Sequence, residues 1–148
     1  MSALTEALRD HHGHCDDLFA AAETAGAAGR WTAAQQALAD LCAALESHFL
    51  SEEDLLFPAF EAATGMQTGP TRVMRAEHEQ MRALLTQMGA ALAEREAEPF
   101  AGTAETLLIL MQQHNMKEEN ILYPMCERGL AGQAGLLEPL LRERLGRT

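Results

Sequence analysis

The chain has 148 residues, a length typical of one domain, and its composition (47% hydrophobic, 5% aromatic) favours packed helices over β-sheets. The formal net charge is −11 and the few Lys and Arg residues do not cluster, which argues against a nucleic acid or an anionic membrane as partner. These features predict an all-α protein.

Targeting and redox signals are weak. No apolar run is long enough for a signal peptide or a membrane span, so a cytoplasmic protein is expected. Cys15, Cys42 and Cys126 are widely spaced and form no CxxC pair, which argues against a disulfide framework or a cysteine zinc site. We expect reduced thiols.

The first predicted helix has an apolar stripe that one histidine interrupts. Leu8, Cys15 and Phe19 recur at helical spacing, and His12 occupies the stripe position between the first two. The Ala- and Gly-rich stretch 25–30 should end this helix. The imidazole of His12 is therefore expected to point into the core.

The second predicted helix puts an imidazole and a carboxylate into its stripe. His48, Glu52 and Leu55 follow one another at helical spacing, and residues four apart lie on one face of a helix. Pro58 should kink or end this helix, and the Gly- and Pro-containing stretch 64–70 separates it from the third. His48 and Glu52 form a candidate metal-ligand pair.

The second half of the chain repeats the first with an offset of 66 residues (114 − 48). In the third predicted helix His78 lies in the stripe at the position equivalent to that of His12. The motif H-x-x-x-E-E-x-[LI]-L-[FY]-P occurs once in each half, beginning at His48 and at His114. The repeat predicts a pseudo-two-fold arrangement of the two halves.

The fourth predicted helix, which opens at Glu98-Pro99, repeats the ligand pair of the second. His114, Glu118 and Ile121 share its stripe, so that both members of the pair point inward. Pro124 should kink or end this helix as Pro58 does in the first half.

Short connections between the predicted helices make sequential helices antiparallel neighbours, which gives an up-down-up-down four-helix bundle. Residues 129–135 should form a loop, and residues 136–145 a short fifth helix against the bundle. We expect a single domain over residues 1–148, with repeat halves at about 1–65 and 70–130.

Six polar side chains are thus predicted to lie in one core. Burying two carboxylates there without a cation would cost several kcal/mol per ion, and a metal removes that penalty. Imidazole and carboxylate donors without a thiolate favour iron or manganese over structural zinc, and iron is preferred. If both glutamates bridge two metals, each ion has two histidines and an open coordination position. The candidate ligands are His12, His48, Glu52, His78, His114 and Glu118.

The repeated motif, each copy preceded by a lone histidine, resembles that of the hemerythrin-like family with HHE cation-binding domains, from about Leu4 to Pro124. The resemblance implies a non-haem di-iron centre, usually oxo-bridged, that interacts with dioxygen or nitric oxide. It assigns the iron ligands to the same six residues. The oxygen-carrying members differ at positions 82 and 119, where this chain has Arg82 and Glu119. The fifth histidine of the carriers is missing, so the resemblance supports the di-iron site strongly and reversible oxygen transport weakly.

Three residues near His12 are interpreted as structural. The repeat counterparts of His11 and His14 are Glu77 and Gln80, and both histidines are rotated away from the stripe, so we expect them at the solvated surface. Cys15 lies on the stripe and is expected to pack as a small hydrophobe.

Five further residues lie close to the candidate ligands in sequence. Asp16 and Arg82 occupy equivalent positions and are expected to be exposed. Glu53 and Glu119 follow the ligand glutamates; an exposed helix face is the preferred interpretation, with a hydrogen bond to a ligand imidazole as the alternative. Tyr123, the only tyrosine, corresponds to Phe57 in the repeat and is expected to pack as an aromatic ring.

Three classes of function fit this site. A di-iron protein that binds or senses dioxygen or nitric oxide is favoured over a di-iron oxidoreductase that removes peroxide or nitric oxide, and over an iron storage or donation protein. The chain has no recognisable output domain, so signalling would require an unidentified protein partner, and turnover a redox donor.

Overall fold

The computed structural model describes residues 4–146, which are almost entirely helical and include no strand. Two five-residue π-helical segments, one in each half, interrupt the α-helical conformation, and a short 3₁₀ turn, Ala131–Gln133, precedes the last helix. The π-helical segments are Glu52–Leu56 and Glu118–Leu122. The α-helices are α1 (Glu6–Ala27), α2 (Trp31–Ser51), α3 (Phe57–Thr64), α4 (Pro70–Ala93), α5 (Ala97–Lys117), α6 (Tyr123–Gly129) and α7 (Ala134–Leu145).

The four long helices form a bundle in which α1 packs on α2 and α5, and α4 packs on the same two helices. The predicted all-α bundle is confirmed. The predicted short last helix also exists, although it begins at Ala134 rather than at residue 136, and it packs against α1 and α2. None of the helices within residues 4–146 is long and apolar enough to cross a bilayer.

The boundary between the halves lies where the sequence predicted it. Gly65 ends α3 with a φ of 74°, a left-handed conformation that glycine adopts without strain. Pro70 opens α4, where its missing N–H has no helical partner to lose.

The bundle has two apolar cores with a polar layer between them. The first core contains residues such as Cys15, Leu45 and Met111, and the second contains Leu8 and Leu122. Helices α1 and α4 contribute to both cores, whereas α2 and α5 contribute to the first core and the segments that follow them contribute to the second. The stripe positions between the two cores carry polar side chains. The four helices therefore direct these polar groups toward one another at a single level of the bundle.

The prolines were predicted to kink or end the second and fourth helices; the regular α-helices α2 and α5 do end before them, at Ser51 and Lys117, but the chain stays helical through both prolines. Pro58 and Pro124 lie in the first turns of α3 and α6. The irregularity comes before them, where the N–H of Phe57 donates to the carbonyl of Glu52, five residues earlier. Tyr123 makes the equivalent bond to Glu118. These i→i+5 bonds define the wider turn of a π-helix.

The π-helical segments also shift the apolar register. Ile121, predicted to lie in the core stripe, is 54% exposed, whereas Leu122 is 1% exposed. In the first half Leu56 is fully buried and Leu55 only partly so. The wider turn moves the inward-facing position by one residue, which an α-helical periodicity cannot predict.

Candidate metal centre

All six predicted ligands come together in the polar layer between the two cores. Each is buried: His12 is 6% exposed, and the other five are 2% exposed or less. They fall into two groups whose donor atoms lie within 4.8 Å of one another. The first group, called the His12 site, contains His12, His48 and Glu118. The second group, called the His78 site, contains Glu52, His78, His114 and Glu118.

The two glutamates lie between the two sites. Glu118 places Oε1 3.0 Å from His12 Nε2 and Oε2 3.3 Å from His114 Nε2. Glu52 places Oε1 3.0 Å from His78 Nε2 and Oε2 3.7 Å from His48 Nε2. Each carboxylate thus presents one oxygen to each site, which is the geometry that bridging two metal ions requires.

Four buried donor atoms at the His78 site make no well-aligned hydrogen bond with the described residues, although they lie in two imidazole–carboxylate pairs that are 3.0 and 3.3 Å apart. A buried polar atom without a partner costs roughly 1–3 kcal/mol, so four at one point need an explanation. A cation bound by imidazole nitrogens and carboxylate oxygens would satisfy all of them, and the donor set therefore fits a metal ion. The atoms are Glu52 Oε1, His78 Nε2, His114 Nε2 and Glu118 Oε2.

The His12 site differs because a hydroxyl group lies among its donors. Tyr123 donates to Glu52 Oε2 over 2.7 Å, and its oxygen lies 3.0 Å from Glu118 Oε1. The same oxygen is 3.3 Å from His48 Nε2 and 3.4 Å from His12 Nε2. Burial raises the pKa of Tyr123 well above its usual value, and the charges of Glu118 and Glu52 raise it further. The ring packs in the second apolar core as expected, and the hydrogen bonds of its hydroxyl group were not predicted.

Three of the four imidazoles donate their outer N–H to a carboxylate. His78 Nδ1 lies 2.6 Å from Glu53 Oε2, and His12 Nδ1 lies 2.5 Å from Glu119 Oε2. A carboxylate can only accept, so the proton is on Nδ1, and in the neutral tautomer the Nε2 lone pair faces the centre. The preferred interpretation of both glutamates as an exposed helix face was wrong, because the neighbouring helix brings an imidazole within reach, and the alternative is confirmed.

The outer nitrogens of His114 and His48 also have partners, one that the sequence analysis did not consider and one that it expected at the surface. His114 Nδ1 donates to Glu77 Oε1 over 2.8 Å, and Lys117 forms an ion pair with the other oxygen of this glutamate. His48 Nδ1 lies 3.0 Å from Nδ1 of His11. The prediction of a solvated His11 was wrong: the ring is 8% exposed and stacks on the His48 ring.

The expectations for the neighbouring residues of α1 are met. His14 is exposed, and its ring centroid is 5.4 Å from that of His11. Cys15 is buried in the first apolar core, with Sγ 3.6 Å from His11 Nδ1. Burial raises the pKa of this thiol to about 12, so it stays protonated at neutral pH.

The imidazoles of the protein without metal carry compensating charge. Burial alone would lower the pKa of His48, but the charge of Glu52 and hydrogen bonds to the two glutamates raise it to about 10. Burial also lowers the pKa of His78, but its contacts with Glu52 and Glu53 raise it to about 9. Despite burial, the pKa of His114 is raised too, by Glu118 above all, so cations bound at the two buried carboxylates would compete with protons on these imidazoles.

The two sides of the centre differ in access. Arg82 is partly buried, not exposed as predicted, because it forms paired hydrogen bonds with Glu46 and with Glu53 and covers the His78 side. Its repeat counterpart Asp16 is exposed, as expected, and lines a polar cavity of about 270 Å³ that reaches His12.

The repeat contains the signals for most of these additional residues. Both motif copies carry a glutamate doublet, which points to a second role for Glu53 and Glu119. The replacement of Phe57 by Tyr123 in the second copy adds one hydroxyl group at an equivalent position. Glu77 has no such signal, since its counterpart is His11.

Comparison with known proteins identifies the same stretch of sequence. The family model described as the hemerythrin HHE cation binding domain matches residues 3–126. Neither the search of curated proteins nor that of solved structures gave a match. The matched residues include every member of the two donor groups.

Proposed function

Because the chain belongs to the hemerythrin HHE cation-binding family, we propose that its polar layer holds two non-haem iron ions in an oxo- and carboxylate-bridged centre. Glu52 and Glu118 would bridge both ions. The proposed ligands are His12 and His48 at the first ion, His78 and His114 at the second, and the two glutamates.

The observation that carries this proposal is the set of four buried donor atoms at the His78 site that lie close together without well-aligned hydrogen bonds. Structural zinc sites usually include cysteine, and both buried cysteines near the centre, Cys15 and Cys126, lie outside the two donor groups. Nitrogen and carboxylate donors in a helical bundle core are the ligand chemistry of di-iron carboxylate proteins.

We propose that the centre binds or senses dioxygen or nitric oxide. When bound, iron supplies open coordination positions and electrons for such diatomic ligands. The side chains of the protein fix those positions: Glu53, Glu77 and Glu119 hold the outer N–H groups of three imidazoles and so orient the inner nitrogens. The apolar cores above and below the polar layer keep bulk water away.

The first experiment combines metal analysis with ligand binding. Protein from iron-replete cells should contain about two irons per chain, and after anaerobic reduction it should bind nitric oxide and react quickly with dioxygen, as followed by absorption spectroscopy. A protein with one zinc and no iron, or an iron protein that responds to neither gas, would contradict the proposal.

A second candidate, a di-iron oxidoreductase that removes peroxide or nitric oxide, is favoured by the cavity beside His12. This cavity is lined by Asp16, Glu119 and three amide side chains, so water and protons reach the edge of the centre. Such access favours turnover over retention of a ligand. Rapid peroxide consumption by the iron-loaded protein would select this candidate, whereas an oxygen adduct that lasts for hours and is released under vacuum would select a carrier.

A further inference from the structure

We propose that Tyr123 is a seventh ligand of the centre and binds the ion of the His12 site through its phenol oxygen. This inference rests on the proposed function, because it requires iron on the six side chains already described. It adds a ligand type, phenolate, that neither the repeat nor the two histidine-glutamate pairs contain.

The hydroxyl oxygen lies where the donors of the His12 site converge. Four donor atoms from His12, His48, Glu52 and Glu118 lie within 3.4 Å of it. Bonds from iron to nitrogen or oxygen ligands are shorter, at about 2.0–2.2 Å, as in other sites with these donors. An ion bound to the same four atoms is therefore next to the phenol oxygen, which either binds it or has to move away.

The phenol ring is packed among buried neighbours that oppose its displacement. Tyr123 is fully buried in the second apolar core. The guanidinium of Arg9 lies 5.5 Å from the ring centroid on one side, and the ring of His12 stacks on it at 5.8 Å. Its backbone N–H is bonded to the carbonyl of Glu118 through the π-helical segment, which fixes the ring beside its own ligand glutamate. Binding the ion is the smaller rearrangement.

The His78 site shows what the hydroxyl contributes. There the equivalent residue is Phe57, whose ring stacks near His78 and carries no polar atom. The four buried donor atoms that lack a well-aligned hydrogen bond are Nε2 of His78 and His114 and one oxygen each of Glu52 and Glu118, all at that site. At the His12 site the hydroxyl of Tyr123 lies among the donor atoms and forms hydrogen bonds with them. It is therefore next to the place where an ion would bind.

The binding step balances without a redox partner. The O–H bond of Tyr123 breaks, an oxygen–iron bond forms, and the proton leaves to solvent. The iron keeps its oxidation state. In the ferric form, phenolate coordination produces a visible charge-transfer absorption that imidazole and carboxylate ligands do not give.

The chain has one tyrosine, which makes the test specific. Protein grown with ring-deuterated tyrosine would be loaded with iron, oxidised, and measured by resonance Raman with excitation in the visible band. Ring vibrations of a metal-bound tyrosinate that shift on deuteration are expected, and they can come only from Tyr123. This measurement needs no substitution and so does not depend on a variant that folds.

The matched variant is Tyr123→Phe, which gives the second half the residue that the first half has at position 57. Expected results are complete loss of the charge-transfer band and faster removal of one of the two irons by a chelator. Because Tyr123→Phe keeps the ring and removes only the hydroxyl, both losses would be assigned to the phenol oxygen.

The outcomes separate this inference from the proposed function. Iron-loaded wild-type protein without tyrosinate vibrations, or a Tyr123→Phe variant that keeps the band, would overturn the tyrosine ligand and leave the di-iron proposal intact. A wild-type protein with no iron after loading would overturn both.

Discussion

The His12 site and the His78 site are built from the same repeated motif, yet they have different surroundings. Each has two imidazoles, Glu118 belongs to both sites, and Glu52 of the His78 site has its other oxygen 3.7 Å from His48 Nε2 of the His12 site. Around the His12 site the chain places a phenol, the outer imidazole of His11 and an open cavity; around the His78 site it places a phenyl ring, carboxylates and an arginine. A duplicated set of candidate ligands therefore does not imply two equivalent metal sites, because the residues around the candidate ligands differ between the two halves.

The largest expected effect comes from the residue that belongs to both sites. Glu118→Ala removes a donor from each group, so iron content should fall from about two to one or fewer per chain. Glu52→Ala should also lose most of the second metal. Elemental analysis after identical loading measures this, with the exposed Glu105→Ala on α5 as control. Full loading in either variant would show that the carboxylate is not a ligand.

The next comparison tests the repeat itself. His12→Ala and His78→Ala are symmetry mates and should each lose about one iron, because each removes one of two imidazoles at one site. The exposed His14→Ala should keep full iron content. Iron analysis of the three variants side by side is sufficient. Loss of iron in His14→Ala but not in His12→Ala would mean that the register of α1 is wrong by two residues.

The residues that contact the outer imidazole nitrogens should affect the iron affinity of the two sites to different degrees. Glu77→Gln replaces a carboxylate acceptor by a neutral one and should weaken iron binding at the His78 site by on the order of 10–100-fold. His11→Gln replaces one neutral acceptor by another beside His48, so its effect should be smaller. Competition with a chelator measures both. Equal losses in the two variants would contradict the distinction between carboxylate and imidazole partners.

The smallest effect concerns stability without metal. Burial opposes the ionisation of Glu53, but hydrogen bonds from His78 and Arg82 lower its pKa from 4.5 to about 2. A lowered folded-state pKa stabilises the protein above pH 4.5, and this stabilisation is lost as the pH falls toward 2. Glu53→Gln should lower the free energy of unfolding at pH 7 by about 1–2 kcal/mol, with solvent screening taken into account. The difference in this free energy between the variant and the wild type should disappear as the pH falls from 4.5 toward 2.

Urea unfolding of the metal-free proteins at several pH values measures this difference. The control is Glu119→Gln, whose side chain is 38% exposed against 16% for Glu53. It also lies on the side of the centre that Arg82 does not reach. We expect Glu119→Gln to lose less stability than Glu53→Gln. A loss of stability in Glu53→Gln that did not change with pH would show that it does not come from the ionised Glu53 carboxylate.

The sequence predicted the bundle and the positions of the six candidate ligands because both depend on α-helical periodicity and on the 66-residue repeat. It did not predict Ile121 at the surface or Tyr123 at the centre, because the π-helical segments change the number of residues per turn. It misplaced His11 and Glu53 for another reason: their contacts are made to neighbouring helices, and the depth of packing between helices is not encoded in the periodicity of one helix.

The π-helical segments depend on the number of residues between each glutamate and the proline that follows it. This spacing, rather than the identity of every residue, therefore constrains the two segments. In each half the proline follows the ligand glutamate by six positions (58 − 52 and 124 − 118). Closing the segment into a regular α-helix with all its residues kept would turn everything beyond it by about 100°, whereas deleting one residue would remove the extra residue that the wider turn accommodates and keep the register. The segments should therefore tolerate substitutions at outward positions such as Ile121, and a one-residue deletion better than a one-residue insertion, which would carry α3 or α6 out of the second apolar core.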